Sequence, residues 1–183
     1  MKCFLRRFIL ALALLLGIAT MADAQSIDRD YSGFVCTWTS EGGFPLNGHK
    51  KLRMASSAIE LGYSFNKRWS LFVPVTGTIA MFKKENGIRR YEPAWTLGLG
   101  AGFNLLYTDD DRLELVARCS NTLIDPSDWD YTSYDLGVRY NCDDKNHKIK
   151  MFMGLGVCYY DRVKGPMNNY CNLYAVLGFR FGK

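Results

Sequence analysis

Apolar residues recur at every second position through most of this chain. Ser57, Ile59, Leu61, Tyr63 and Phe65 occupy one side of a run whose other side is Ala58, Glu60, Gly62 and Ser64. After the polar turn Asn66-Lys67-Arg68 the alternation resumes from Trp69 to Met81. It returns from Trp95 to Tyr107, Leu113 to Cys119, Tyr134 to Cys142, Ile149 to Tyr159 and Cys171 to Phe181. A helix would repeat its apolar positions every three or four residues, whereas a period of two belongs to strands. The pattern predicts seven strands and an all-β fold.

The average composition hides how the residues are sorted. With 183 residues, 48% hydrophobic and 22% charged, the chain reads as an ordinary soluble globule. Yet none of the alternating apolar positions is charged. The intervening positions hold Glu60, Glu114, Arg118, Asp135, Arg139, Lys150 and Arg180, together with Gly62, Gly98, Gly100, Gly102, Gly137, Gly154, Gly156 and Gly178. A soluble lipocalin-like barrel also alternates, but its polar face meets water and carries Lys and Glu at many positions. Here that face is mostly Gly, Ala, Ser, Thr and Asn, which suits the cramped interior of a narrow barrel. The uncharged apolar face is then expected to meet lipid, where a Lys or Arg at the bilayer midplane costs about 2–4 kcal/mol. No later stretch is long enough for a membrane helix, so a spanning form must be a closed barrel.

An even strand count requires an eighth strand, and residues 33–40, with Phe34, Cys36 and Trp38 outward, are the candidate. The expected fold is an eight-stranded antiparallel up-and-down transmembrane β-barrel. Pro74 lies inside a strand of a sheet without edges, so a local bulge is expected there. Short turns at 66–68, 108–111 and 143–147 alternate with longer connections at 41–52, 83–90, 123–130 and 161–169. In spanning barrels the short turns face the periplasm and the long ones the exterior. Tyr63, Phe65, Trp69, Tyr107, Tyr140, Phe179 and Phe181 fall at the short-turn ends, and Trp38, Trp95, Tyr134 and Tyr159 toward the long loops, as two aromatic girdles. A strand from Trp95 to Tyr107 rises about 43 Å and, tilted near 45°, spans about 30 Å.

The N-terminus reads as a secretory signal peptide. Lys2, Arg6 and Arg7 form a positive head, an uncharged run follows from Phe8 to Met21, and Ala22-Asp23-Ala24 supplies small residues for cleavage before Gln25. The expected division is residues 1–24 as signal and 25–183 as barrel. No cysteine stands at the cleavage point, so no lipoprotein anchor is expected. Cys36, Cys119, Cys142, Cys158 and Cys171 remain, an odd count that leaves at least one free thiol. Cys158 and Cys171 fall on opposite faces of adjacent strands and are not expected to pair. Most of the five read as small apolar residues toward lipid.

From 33 to 181 the chain resembles the small eight-stranded outer-membrane barrels of Gram-negative bacteria, the OmpA/OmpX-like and porin-family proteins. The resemblance rests on pattern rather than on a diagnostic motif. The ending Phe179-Arg180-Phe181 looks like the signal by which the outer-membrane assembly machinery recognises such chains, although Gly182 and Lys183 follow it. The resemblance implies residence in the cell outer membrane among lipid and lipopolysaccharide. A monomer is expected.

Three constellations bear on function. The inward charges are expected to satisfy one another, since unpaired buried charge is costly; the alternative is a gated, narrow channel for small solutes. Catalysis by a His with Ser and a carboxylate, as in lipid A-modifying barrels, has two histidines to draw on. His147 lies in a short turn. His49 lies in the first long loop, where Asp125, Ser127 or Asp128 of the third would have to approach it. Nothing in the spacing singles that set out, and there is no metal spacing, P-loop or nucleophile elbow. The expected protein is therefore non-enzymatic, without a cofactor, and structural or interacting through its loops. The third constellation is a basic sector at the first two long loops: Lys50, Lys51, Arg53, Lys83, Lys84, Arg89 and Arg90. It is a candidate for binding lipopolysaccharide phosphates through charge-assisted hydrogen bonds. Phe44, Leu46, Ile88, Trp129 and Met167 among the four long loops are either loop packing or a partner surface. The net charge of +5 is too mild for a nucleic-acid footprint, and no nucleic-acid partner is expected.

Overall fold

The structure is a computed structural model that describes residues 32–46, 52–84, 87–108, 111–123, 129–142, 149–164 and 169–182. The signal segment lies outside the described residues, as do His49, Lys50, Lys51, Asp125, Ser127, Asp128, His147 and Met167. The strands are β1 (Gly33–Pro45), β2 (Leu52–Ser64), β3 (Trp69–Lys84), β4 (Gly87–Arg90), β5 (Ala94–Tyr107), β6 (Asp111–Thr122), β7 (Asp130–Cys142), β8 (Ile149–Lys164) and β9 (Tyr170–Gly182).

Eight long strands close into an antiparallel ring in the order β1, β2, β3, β5, β6, β7, β8, β9. β1 completes it by pairing with β2 on one side and with β9 on the other. β4 is a short extra strand that pairs with the end of β3 alone, on the edge that β5 leaves beyond Thr78, as a hairpin at the long-loop rim. No helix among the described residues is long and apolar enough to cross a membrane. The fold is the expected eight-stranded up-and-down barrel.

The predicted faces hold along the eight long strands except at the end of β5. Ile59, Leu61, Leu99, Leu136, Met151, Leu155 and Leu177 point outward and are exposed, while Ala58, Glu60, Phe72, Glu114, Arg118, Arg139 and Arg180 are buried inside. Inward glycines make room for aromatic rings in the narrow lumen. A Cβ on Gly100 would stand 2.2 Å from the Phe72 ring, and one on Gly178 would stand 2.3 Å from the Phe152 ring and 2.5 Å from the Trp38 carbonyl oxygen.

Four expectations are corrected. β1 runs to Pro45, not Ser40, so the first long loop loses its opening residues and Glu41 becomes an inward strand residue. This extension also leaves Trp38 mid-strand, stacked 5.8 Å from Phe179 rather than in a girdle beside the long loops. Pro74 causes no bulge. The β3–β5 ladder omits Val73 and Pro74 but keeps its offset, with Phe72 opposite Gly100 and Val75 opposite Leu97. Proline has no N–H to donate, so the sheet leaves out a rung without inserting a residue. The bulge falls instead between Asn104 and Leu106 of β5. It sets Tyr107 opposite Arg112, on an inward row, where strict alternation would place it outward.

Candidate functional site

The lumen carries three layers. At its centre Arg118 of β6 contacts acids from three other strands: Glu41 of β1 at 2.6 Å, Glu60 of β2 at 3.1 Å and Asp135 of β7 at 3.1 Å. Arg139 of β7 grips Glu60 with both terminal nitrogens, at 2.7 and 2.6 Å. β2 and β7 stand on opposite sides of the eight-strand ring, so this two-pronged pair crosses the barrel. Tyr174 donates to Asp135 at 2.9 Å, and the Arg139 guanidinium lies 5.1 Å from the centre of the Phe152 ring. Glu60 is 2% exposed and Arg139 5%, so the pairing takes place away from water, where an uncompensated charge is costly.

A looser layer lies toward the short turns. Glu114 accepts from Ser70 at 3.2 Å and pairs with Arg180 at 3.5 Å. Arg180 also donates to Ser64 at 3.3 Å, and Arg112 donates to Asn141 at 3.4 Å. Lys150 stands opposite Arg180 in register and is half-buried. Between the two layers, a cavity of about 20 Å³ bordered by Thr37, Glu60, Phe72, Glu114, Arg139 and Arg180 has room for about one water.

The third layer is aromatic and lies toward the long-loop end. Trp129, 2% exposed, packs 4.7 Å from Tyr131 and donates to the Glu92 carbonyl at 2.9 Å. Tyr131 meets Tyr160 at 5.1 Å, and Tyr160 stacks on Tyr170 at 4.7 Å. The Tyr170 hydroxyl reaches the Met54 sulfur. Trp129 is therefore lumen packing, not an exposed partner surface.

All seven predicted inward charges face the lumen, and the structure adds Glu41 and Arg112. Glu41 escapes a reading by alternation because Ser40-Glu41-Gly42-Gly43 breaks the apolar series and looks like a loop. Arg112 lies one inward step beyond the alternation that starts at Leu113, and its burial marks it as interior. Among the described residues no group of His, Cys, Asp and Glu is placed to hold a metal ion. None of the five described cysteines forms a disulfide; Cys158 is buried inward, with Tyr159 rather than Cys158 opposite Cys171.

Of the predicted basic sector, the structure brings two members into one row. Arg53 stands opposite Met81, and Met81 stands opposite Arg90 on β4. Both arginines are exposed. Lys83 pairs in register with Ile88, and Phe82, the residue before it, with Arg89. The Lys83, Lys84 and Arg89 side chains lie outside what the structure describes.

No protein family matches the sequence, and no curated protein matches it. Among solved structures, the chain is similar to neisserial surface protein A, NspA, with 18% identity and a TM-score of 0.56 over 82% of this chain and 97% of that chain. It is also similar to the N-terminal β-barrel domain of Pseudomonas aeruginosa OprF, with 11% identity and a TM-score of 0.42 over 80% of this chain and 97% of that domain. The likeness to NspA is one of fold, an antiparallel barrel traced over nearly the whole of that chain.

Proposed function

We propose that this protein is a non-enzymatic, integral outer-membrane barrel with a closed lumen, structural in the envelope or acting through its long loops. The observation that carries this reading is the cross-lumen bond from Arg139 to Glu60, reinforced by Arg118. It buries charge inside a wall whose outer surface is apolar, the reverse of a soluble protein. Outward residues such as Leu99, at 69% exposure, and Leu155, at 64%, would each leave a large apolar side chain in water if no lipid covered them. The antiparallel ring leaves no unpaired edge, as hydrocarbon surroundings demand. The N-terminal signal pattern and the final Phe179-Arg180-Phe181 are consistent with export and recognition by the assembly machinery.

The ion-paired centre and the aromatic layer fill the described lumen and argue against a path for solutes. The direct test of membrane residence is extraction and gel migration. The protein should require detergent and should migrate differently before and after boiling, as a closed barrel that resists unfolding in mild detergent. A protein that stays soluble without detergent and shows no such shift would overturn the assignment.

A further inference from the structure

The outward surface at the long-loop end is divided into two chemically different sectors. On β2, β3 and β4, one cross-strand row reads Arg53, Met81, Arg90. Phe44 of β1 extends it, since the Arg53 guanidinium lies 5.0 Å from the centre of its ring. Phe44 is 60% exposed, so this apolar contact leaves the row open to its surroundings. On β6–β8 the rim carries an acid: Asp161 accepts from Asn169 at 3.0 Å, and the neighbouring Thr132 donates to Asn121 at 2.7 Å. The β2–β4 sector thus sets two exposed arginines among apolar side chains, whereas the exposed Arg162 of β8 stands next to Asp161.

We infer that the row of Phe44, Arg53, Met81 and Arg90 binds the phosphorylated headgroup of a lipid in the surrounding outer leaflet, a glycolipid carrying two phosphates. This rests on the outer-membrane reading above. An arginine on the lipid-facing side is costly at the midplane but not at headgroup depth, and the strand ends place this row at that depth, above the apolar belt. Strands are spaced about 4.8 Å apart, so Arg53 and Arg90, two strands apart, present guanidinium groups from positions about 10 Å apart. Each guanidinium is a planar fork that matches a phosphate with two parallel hydrogen bonds. Phe44 and Met81, in the same row, offer apolar contact to the acyl chains. β4 has a specific part here: this short extra strand continues the row past β3 and supplies the second arginine.

The test uses the mature protein folded in neutral detergent and mixed with diphosphorylated lipid A or the same lipid after dephosphorylation. Native mass spectrometry reads the lipid retained per protein. The phosphorylated lipid should be retained about tenfold better, as expected for loss of a charge-assisted contact of ordinary strength. Arg53→Gln together with Arg90→Gln should lower its retention to the level of the dephosphorylated lipid, while Asp161→Asn on the other sector should not. Excess inorganic phosphate should not displace it. Equal retention of the two lipids, unchanged retention in the double variant, or displacement by inorganic phosphate would each overturn the inference. The heat-dependent gel shift, read on the same samples, keeps this outcome separate from the barrel assignment. A folded barrel without phosphate preference refutes only the lipid site.

Discussion

The two charged layers of the lumen use the same residue types and differ in how tightly they pair. In the central layer Glu60, Arg118 and Arg139 meet at 2.6–3.1 Å and join opposite walls. In the layer toward the short turns, Glu114 and Arg180 meet at 3.5 Å and share their capacity with Ser70 and Ser64. Cross-strand register alone would pair Arg139 with its neighbour Glu114. The barrel instead sends Arg139 across the lumen to Glu60. Both pairs join non-adjacent strands, β2 with β7 and β6 with β9, so the layers differ in how closely the charges meet rather than in whether they cross the lumen.

This contrast makes graded predictions. The largest effect is expected for Glu60→Ala, which removes the acid shared by Arg118 and Arg139. Leaving buried cations under-compensated costs about 3–5 kcal/mol, to be read as a lowered urea midpoint in lipid vesicles. Next comes Gly178→Ala, whose new methyl would press on Phe152, the ring beneath Arg139, and on the Trp38 carbonyl. Overpacking of this kind costs about 1–3 kcal/mol in the same assay. Glu114→Gln should cost only about 1 kcal/mol, since an amide still accepts from Ser70 and the Arg180 contact is long. Arg53→Gln, an exposed change at the rim, should lie within about 0.5 kcal/mol of wild type. If Glu114→Gln proved as damaging as Glu60→Ala, the distinction between the tight and the loose layer would fail.

Much of the barrel could be read from the order of residues. Alternation from Ser57 to Phe181 located seven strands and assigned their faces, because lipid outside and a narrow lumen inside impose opposite chemistry on successive residues. The interior positions of Glu60, Glu114, Arg118, Asp135, Arg139 and Arg180 followed from the same parity. Parity misled where the backbone departs from regularity. At Leu105-Leu106 both residues are apolar and exposed, so the sequence shows no sign of the extra residue that sends Tyr107 to the inward row. Glu41 was obscured by the glycines beside it. The partners across the lumen were not legible at all. The Glu60–Arg139 pair depends on ring closure and strand stagger, which no local pattern encodes. Trp129 read as a loop residue because its burial comes from packing against Tyr91 and Tyr131, which no local pattern encodes.

The central claim is that Glu60, Arg118 and Arg139 hold the lumen shut. Planar-bilayer recording tests it most directly. The wild-type barrel should insert without discrete conductance steps, and Glu60→Ala combined with Arg139→Ala, which removes the tight pair, should produce them. Steady unitary conductance from the wild type, unchanged in the double variant, would contradict the account.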